Sequence, residues 1–398
     1  MATSAVGVQS TYTPPAPAVA GTSRITGIDV MRGVVMLLMA IDHVRVYSGV
    51  PAGGPSAGVF FTRWVTHFCA PLFVFLAGTS AFLYGRRLGD TRLLAGFLVR
   101  RGLLLIALEL TLIHVSWTFT FEYANVLAGV IWMLGWCMVV MAGLVRFSPR
   151  AIGIFGIAVM VAQSALHFAA NALPALTPLW QFLFLGGRVP IGNTGTTVTV
   201  LYNIVPWIGV MAAGYAFGTI MVRDAAERRA RCLQIGLGMI AAFVLVGGAL
   251  ALAHSGTSED GQRVPFLFRL LDQNKYRDSQ LFLLMTLGPA IALLPFADSA
   301  RGWIARAFET FGRVPMFYYL LHIPLIHATA LVAWYLRDGA VRADRFDNAP
   351  YVQIPDNERW SLSLLYLVFA IVIAMLYPAC RWFQGVKARQ PGSWLRYL

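Results

Sequence analysis

The stretch RGVVMLLMAIDHVR, Arg32 to Arg45, decides the fold class. Its first part is an apolar run of the kind that crosses a bilayer as a helix, since about 20 residues rising 1.5 Å each span roughly 30 Å of hydrocarbon. The stretch nevertheless ends in Asp42, His43 and Arg45, which are costly at membrane depth unless they pair or line a cavity. A membrane helix with such an end predicts a functional group there.

The composition of the whole chain predicts an integral membrane protein. Of its 398 residues, 58% are apolar and 12% are charged, and the mean hydropathy is +0.66. A soluble domain carries about twice that share of charged residues. We predict an all-α, polytopic membrane helix bundle of about ten transmembrane helices, because apolar runs of spanning length recur along the sequence. The predicted spans are 25–46, 60–84, 95–119, 123–146, 150–171, 200–221, 232–254, 279–297, 313–336 and 361–383.

The net charge of +13 has a topological explanation. Basic residues concentrate in alternate loops of the predicted bundle, which is the asymmetry of loops that stay in the cytoplasm. We therefore expect both termini in the cytoplasm, and the charge requires no nucleic acid partner. The composition predicts a disordered N-terminal tail at 1–23, a transmembrane domain at 24–385 and a cytoplasmic C-terminal tail at 386–398.

Within the first predicted helix, one helical stripe carries both a cation and an imidazole. Arg32, Met36, Met39 and His43 share this stripe, because they are spaced by four, three and four residues. The axial separation of Arg32 and His43 is roughly 16 Å. Asp29 lies three residues before Arg32, a spacing that predicts an ion pair between them. The stripe therefore runs from a cation near the cytoplasm to an imidazole near the opposite side.

Further polar residues fall at membrane depth in later segments. His67 precedes a helix-breaking proline by one turn, which predicts a kinked entry beside a water-filled site. Tyr319, His322 and His327 surround another proline, a pattern typical either of a substrate cavity or of an internally satisfied polar cluster. Glu109 lies inside the third predicted span and needs a polar partner. Six of the seven histidines fall in the outer half or at outer helix ends: His43, His67, His114, His167, His254 and His327. Each alone favours a structural role, but the set favours a cavity or pathway.

Five ordered motifs resemble the bacterial relatives of heparan-α-glucosaminide N-acetyltransferase, and more weakly the wider transmembrane acyltransferases. The motifs are IDVMRGVVMLLMAIDHVR, HFCAPLFVFLAGTSAFL, YNIVPWIGVMAAGYAFG, LFLLMTLGPAIALL and FGRVPMFYYLLHIPLIHA, and the resemblance covers 24–385. It implies a multi-pass acyltransferase of the cell inner (plasma) membrane. Acetyl-CoA would be the cytosolic acyl donor, and a glycan or amino sugar would be the acceptor on the other side.

The resemblance also implies roles for individual residues. The catalytic group would comprise His43, as base or acyl carrier, with His67 as its partner and Asp42 beside them; which of the two histidines is the base stays open. The expected donor-binding residues are Asp29, Arg32, Arg100, Arg101 and Arg313. The expected acceptor or oxyanion contacts are His114, Tyr319, His322 and His327. No metal is expected, and a homodimer is one of the oligomeric states left open.

Two rival classes make different predictions. A transporter or flippase also fits about ten spans with polar groups around broken helices, although the sequence halves show no clear internal repeat. A purely structural membrane protein would have no cavity connecting the inner and outer polar groups.

Overall fold

The computed structural model describes residues 25–54, 56–193, 195–253, 264–273, 279–341, 343–390 and 394–397. The predicted N-terminal tail, 1–23, and His254 lie outside the described residues. The fold is nearly all-α, which confirms the coarse prediction, with a small three-stranded sheet in addition. The count of about ten spans and the cytoplasmic termini stay predictions.

The helices follow one another along almost the whole chain. They are α1 Thr26–Ser48, α2 Ala57–Trp64, α3 Cys69–Leu88, α4 Thr91–Leu108, α5 His114–Thr118, α6 Val130–Leu144, α7 Pro149–Val161, α8 Gln163–Ala172, α9 Thr177–Trp180, α10 Val205–Met221, α11 Ala225–Ala242, α12 Gly248–Ala253, α13 Phe266–Leu271, α14 Gln280–Ser299, α15 Trp303–Arg313, α16 Pro315–Asp338 and α17 Leu362–Arg389. The π-helical segment Glu109–Ile113 continues α4 into α5, and the 3-10 segment Val65–Phe68 joins α2 to α3.

Five described helical segments are long and apolar enough to cross a membrane. They are Ala57–Leu88, Ala225–Ala253, Gln280–Ser299, Pro315–Asp338 and Leu362–Arg389, and Pro149–Val161 with Ala165–Ala172 would be a sixth, bent by 64°. The helix α1 is not among them, because it carries Asp29, Arg32, Asp42 and Arg45. The polar groups that mark this helix as functional thus also lower its hydropathy.

The sheet corrects one predicted span. Residues 123–129 precede α6 as extended chain instead of forming its first turns, and Asn125–Ala128 is strand β1. Strand β3, Thr197–Val200, pairs in parallel with β1 and antiparallel with β2, Gly187–Pro190. Four-residue apolar strands have no periodicity that distinguishes them from the start of a helix, so the sequence pattern could not separate them.

Helix α1 lies at the centre of the bundle and packs against α3, α14, α15, α16 and α17. Two glycines permit its closest crossing. A Cβ at Gly33 would lie 1.9 Å from the carbonyl oxygen of Phe308, and a Cβ at Gly312 would lie 1.8 Å from that of Asp29. The backbones of α1 and α15 therefore touch directly, and this contact fixes the depth of every side chain on α1.

Candidate active site

A cavity of about 740 Å³ penetrates the bundle from one end. Its walls come from α1, α3, α4, α6, α10, α11, α15, α16 and α17. Among the described residues that line it, seven are basic and one is acidic: Arg32, Arg87, Arg101, Arg223, Arg228, Arg313, Lys387 and Asp29. Several of these lie at the ends of α3, α10 and α17, which we call the basic end of the bundle. The opposite end, where α1 finishes, is called the far end.

Four of the five predicted donor-binding residues, Asp29, Arg32, Arg101 and Arg313, line this cavity. Arg100 does not, because it points to the exposed side of α4, where its Nε donates to the carbonyl of Gly96 at 3.0 Å. The sequence interpretation missed Arg87, Arg223, Arg228 and Lys387. These residues belong to the basic loops from which the sequence predicts the topology, and they were not interpreted as donor-binding residues.

Arg32 connects three helices at the wall of the cavity. Its Nη1 lies 3.2 Å from Asp29 Oδ1, which confirms the predicted ion pair, and donates to the carbonyl of Gly312 at 3.0 Å. Its Nη2 donates to Ser80 Oγ on α3 at 2.8 Å. Arg32 therefore holds α1 against α3 and α15 as well as contributing positive charge to the cavity.

Beyond the charged residues the cavity is apolar. Met36 and Met39 line it, as the stripe on α1 predicts, and face leucines and methionines of α4 and α6. Tyr319 on α16 also lines it. Since His43 follows Met39, and His322 follows Tyr319, by about one helical turn each, the apolar part of the cavity leads towards these two imidazoles.

His43 and His322 form a hydrogen-bonded pair between α1 and α16. Nδ1 of His43 lies 2.8 Å from Nε2 of His322. Nδ1 of His322 lies 2.7 Å from the carbonyl oxygen of Tyr319 and 3.1 Å from that of Tyr318. Carbonyl oxygens only accept, so this Nδ1 carries a proton; in neutral His322, Nε2 then accepts from His43 Nδ1–H. In neutral His43, Nε2 is then the unprotonated ring nitrogen.

Aromatic rings fix both imidazoles in place. Trp117 meets the ring of His43 edge-on, with centroids 4.9 Å apart, and Tyr318 stacks on His322 at 5.1 Å. The hydroxyl of Tyr318 donates to the carbonyl of Met36 at 2.9 Å, which locks its position. His322 is fully buried, whereas His43 keeps partial exposure. His43 is therefore the more accessible member of the pair.

Comparison with known families decides the family of this chain. Residues 24–254 match the family described as heparan-alpha-glucosaminide N-acetyltransferase, catalytic. The chain belongs to this family. A comparison with curated proteins gave no match. The family assignment supports an acyltransferase-type enzyme that is embedded in a membrane.

In this heparan-alpha-glucosaminide N-acetyltransferase family member, the matched range contains one imidazole of the pair and not the other. His43 and the cavity residues Arg32 and Arg101 lie inside it. His322 and Tyr319 lie beyond residue 254. Assembly of the pair therefore requires α16, from the part of the chain that follows the matched range.

Asp42, predicted to lie beside the two catalytic histidines, forms ion pairs with two arginines. Its Oδ1 accepts from Arg45 Nε at 3.0 Å, and its Oδ2 accepts from Arg63 Nη1 at 2.7 Å. Arg63 also lies 3.2 Å from Thr66 Oγ1. This buried network ties the last turns of α1 to α2, and Arg63 is a residue that the sequence interpretation missed.

His67 lies in the 3-10 segment before α3 rather than in the imidazole pair. Its ring packs edge-on against Phe282 of α14, with centroids 5.7 Å apart. The structure brings His43 together with His322, for which the sequence predicted an acceptor or oxyanion contact.

Two other residues that were predicted to contact the acceptor make structural contacts at the far end. His114 Nε2 donates to the carbonyl of Glu122 at 2.7 Å, and its ring stacks on Tyr123 at 4.4 Å. His327 is sandwiched between Tyr47 and Phe119, with centroids 4.8 and 3.8 Å away. Both imidazoles thus position chain segments around the far end.

Glu109 has the partner that its burial requires. Its Oε2 accepts from the backbone N–H of Ile131 at 3.2 Å, in the first turn of α6. A carboxylate is stabilised there by the unpaired amides and by the helix dipole. Among the described residues, no group of three or more His, Cys, Asp or Glu side chains is arranged to hold a metal ion.

Proposed function

We propose that this protein is an acyltransferase that moves an acetyl (acyl) group from acyl-CoA, bound from the basic end, to a sugar amine or hydroxyl at the far end. The observation that supports it is one cavity that extends from a basic cluster to Met39 and Tyr319, which precede His43 and His322 by about one helical turn. In this proposal the basic end faces the cytoplasm, as the positive-inside rule favours, and the membrane is the cell inner (plasma) membrane.

The residues present fit an acyl-CoA donor. Its phosphates require several cations, and arginine binds phosphate through paired, charge-assisted hydrogen bonds. Among the described residues, the buried Nε atoms of Arg101 and Arg313 have no hydrogen-bond partner, and both residues line the cavity. The roughly 16 Å of α1 between Arg32 and His43 is comparable to an extended pantetheine arm.

The imidazole pair provides the base that acyl transfer requires. The acceptor nitrogen or oxygen attacks the thioester carbonyl of acyl-CoA, and Nε2 of His43 takes the proton of that N–H or O–H while Nδ1–H keeps the ring oriented towards His322. The C–S bond then breaks, and CoA leaves as a thiol with that proton, which returns His43 to its neutral form. His322 in turn is held by the carbonyls of Tyr318 and Tyr319, so the pair favours one tautomer of His43.

Transfer across a sealed membrane tests this function. The purified chain is reconstituted in proteoliposomes, with labelled acetyl-CoA on one side and glucosamine on the other. We expect acetylglucosamine only when the donor faces the basic end, and a loss of about 10²- to 10⁴-fold in rate for His43→Ala, the usual contribution of a general base. His167→Ala is the matched control, since that imidazole is exposed, contacts the ring of Phe184 and does not line the cavity. Transfer by His43→Ala at the unmodified rate contradicts the proposal.

A further inference from the structure

A tyrosine lies in the cavity wall beyond the basic residues. Past Arg32, helix α1 lines the cavity with the apolar side chains of Met36 and Met39. On α16, Tyr319 is the lining residue furthest from the basic end. Tyr319 therefore brings a hydroxyl group to the apolar part of the cavity, where the arm of a bound acyl-CoA would place its thioester.

The hydroxyl of Tyr319 faces the cavity with its hydrogen-bonding capacity unused. The residue is 7% exposed, but its hydroxyl oxygen is not buried and makes no hydrogen bond with any residue that the structure describes. Two neighbouring tyrosines differ in this respect. The hydroxyl of Tyr318 donates to the carbonyl of Met36 at 2.9 Å, and that of Tyr47 donates to the carbonyl of Trp117 at 2.7 Å. Of these three hydroxyls, that of Tyr319 is the one available to a ligand.

The backbone of α16 holds this hydroxyl close to the imidazole pair. The carbonyl of Tyr319 accepts from Nδ1–H of His322 at 2.7 Å, and the two ring centroids lie 5.2 Å apart. His322 in turn accepts from His43 at 2.8 Å. Three residues on a helix correspond to about 4.5 Å along its axis. A reacting carbonyl group between Tyr319 and His43 therefore lies within reach of a phenolic donor and of a base.

The imidazoles themselves have no proton left for the thioester carbonyl. In the neutral pair, Nδ1–H of His43 is donated to His322, and Nδ1–H of His322 is donated to the carbonyl of Tyr319. Acyl transfer nevertheless places negative charge on the carbonyl oxygen, and a donor aimed at that oxygen in an apolar site stabilises the transition state. A phenol is neutral near pH 7 and keeps its proton for such a hydrogen bond.

We propose that the hydroxyl of Tyr319 is the oxyanion donor of the transfer reaction. The inference rests on the proposed function, because it concerns the carbonyl of acyl-CoA. The acceptor nitrogen or oxygen attacks the carbonyl carbon, and the electron pair of the C=O bond moves to its oxygen. Tyr319 donates a hydrogen bond to that oxygen without giving up its proton, while His43 takes the proton of the acceptor. When the C=O bond forms again, the C–S bond breaks and the sulfur takes the proton from His43.

Binding of two donor analogues that cannot transfer an acyl group tests this contact without catalysis. One is the ketone analogue of acetyl-CoA, in which a CH2 group replaces the thioester sulfur. The other is S-ethyl-CoA, which has no carbonyl. The full chain in nanodiscs is titrated with each analogue in a calorimeter. We expect Tyr319→Phe to weaken binding of the ketone by about 2- to 10-fold, the effect of one neutral hydrogen bond, and to leave binding of S-ethyl-CoA unchanged.

Steady-state transfer in proteoliposomes measures the catalytic contribution. We expect kcat of Tyr319→Phe to fall by about 10²- to 10³-fold, the usual effect of removing one oxyanion donor, while the KM for acetyl-CoA changes far less. This difference follows because the charge on the oxygen develops only in the transition state. Tyr377→Phe is the matched control, since it removes a phenolic hydroxyl from a ring that packs near Phe311, with centroids 5.8 Å apart, and does not line the cavity.

Three results overturn the inference: an unchanged affinity of Tyr319→Phe for the ketone, an equal loss of affinity for both analogues, or a kcat within about tenfold of that of the unmodified chain. Each of them is compatible with acyl transfer that uses His43 as the base. Normal binding of S-ethyl-CoA by Tyr319→Phe also shows that the variant is folded. If the unmodified chain binds neither analogue, the proposed function itself is contradicted, and the role of Tyr319 is contradicted with it.

Discussion

Replacing His322 with alanine tests whether the two imidazoles act as a unit. His322 accepts from Nδ1–H of His43 at 2.8 Å and does not line the cavity, so its removal changes the orientation of His43 without removing a donor contact. The substitution leaves Nδ1–H of His43 without its acceptor. The proton is then no longer confined to Nδ1, and the lone pair is no longer confined to Nε2.

The size of the effect follows from this hydrogen bond. A donor left unsatisfied at a buried position costs about 1–3 kcal/mol, which is about a 5- to 150-fold change at 1.4 kcal/mol per tenfold. We expect kcat of His322→Ala to fall by that factor, with little change in KM for acetyl-CoA. His43→Ala removes the base itself and should cost more, about 10²- to 10⁴-fold.

A double-mutant cycle in proteoliposomes separates this mechanism from a structural effect. If His322 acts through His43, then His322→Ala should have little further effect on kcat in the His43→Ala background, because residues that act as a unit are not additive. Nitrogen NMR of histidine-labelled protein provides a second measurement, since the Nδ1–H tautomer of His43 should be lost in His322→Ala. Full additivity of the two substitutions, or an unchanged tautomer, would refute the reasoning.

Three further predictions test the cavity, the helix crossing and the cap of α6. Arg101→Gln should raise the Kd for CoA in calorimetry by about 10- to 150-fold, the effect of a charge-assisted hydrogen bond, whereas its neighbour Arg100→Gln, which lies outside the cavity, should not. Gly33→Ala should lower the free energy of unfolding in detergent by about 1–3 kcal/mol, because its Cβ would meet an α15 carbonyl at 1.9 Å. Gly143→Ala is the control and should not destabilise the protein, because a Cβ at that position meets nothing within 4 Å. Glu109→Ala should cost about 1–3 kcal/mol in the same unfolding measurement by leaving an α6 amide unpaired, and a Gln variant, which keeps an acceptor, should cost less.

Helical periodicity made part of the site predictable. The spacing of Arg32, Met36, Met39 and His43 depends only on 3.6 residues per turn, and the structure places the first three along the cavity and the fourth one turn beyond Met39. The ion pair of Asp29 with Arg32 follows from the same geometry. Local spacing therefore predicts what one helix presents, whatever its neighbours are.

Contacts between distant segments were not predictable from spacing. His322, which hydrogen-bonds to His43, is 279 positions away, and only the packing of α16 against α1 brings the two rings together. Arg63 reaches Asp42 across 21 positions through a short helix with a 3-10 continuation. Such pairings depend on crossing points, here set by the glycine contact of α1 with α15, and no single-segment pattern encodes them.

At the polar end of α1, the adjacent residues Asp42 and His43 have different roles. Successive side chains on a helix diverge by about 100°, so Asp42 and His43 face different neighbours. Asp42 places its charge against Arg45 and Arg63, which pairs a half-buried carboxylate and fixes the last turns of α1. His43 faces His322, whose own proton is held by neutral carbonyls. These hydrogen bonds to neutral groups orient Nε2 of His43. That combination suits a base which must be neutral until the acceptor gives up its proton.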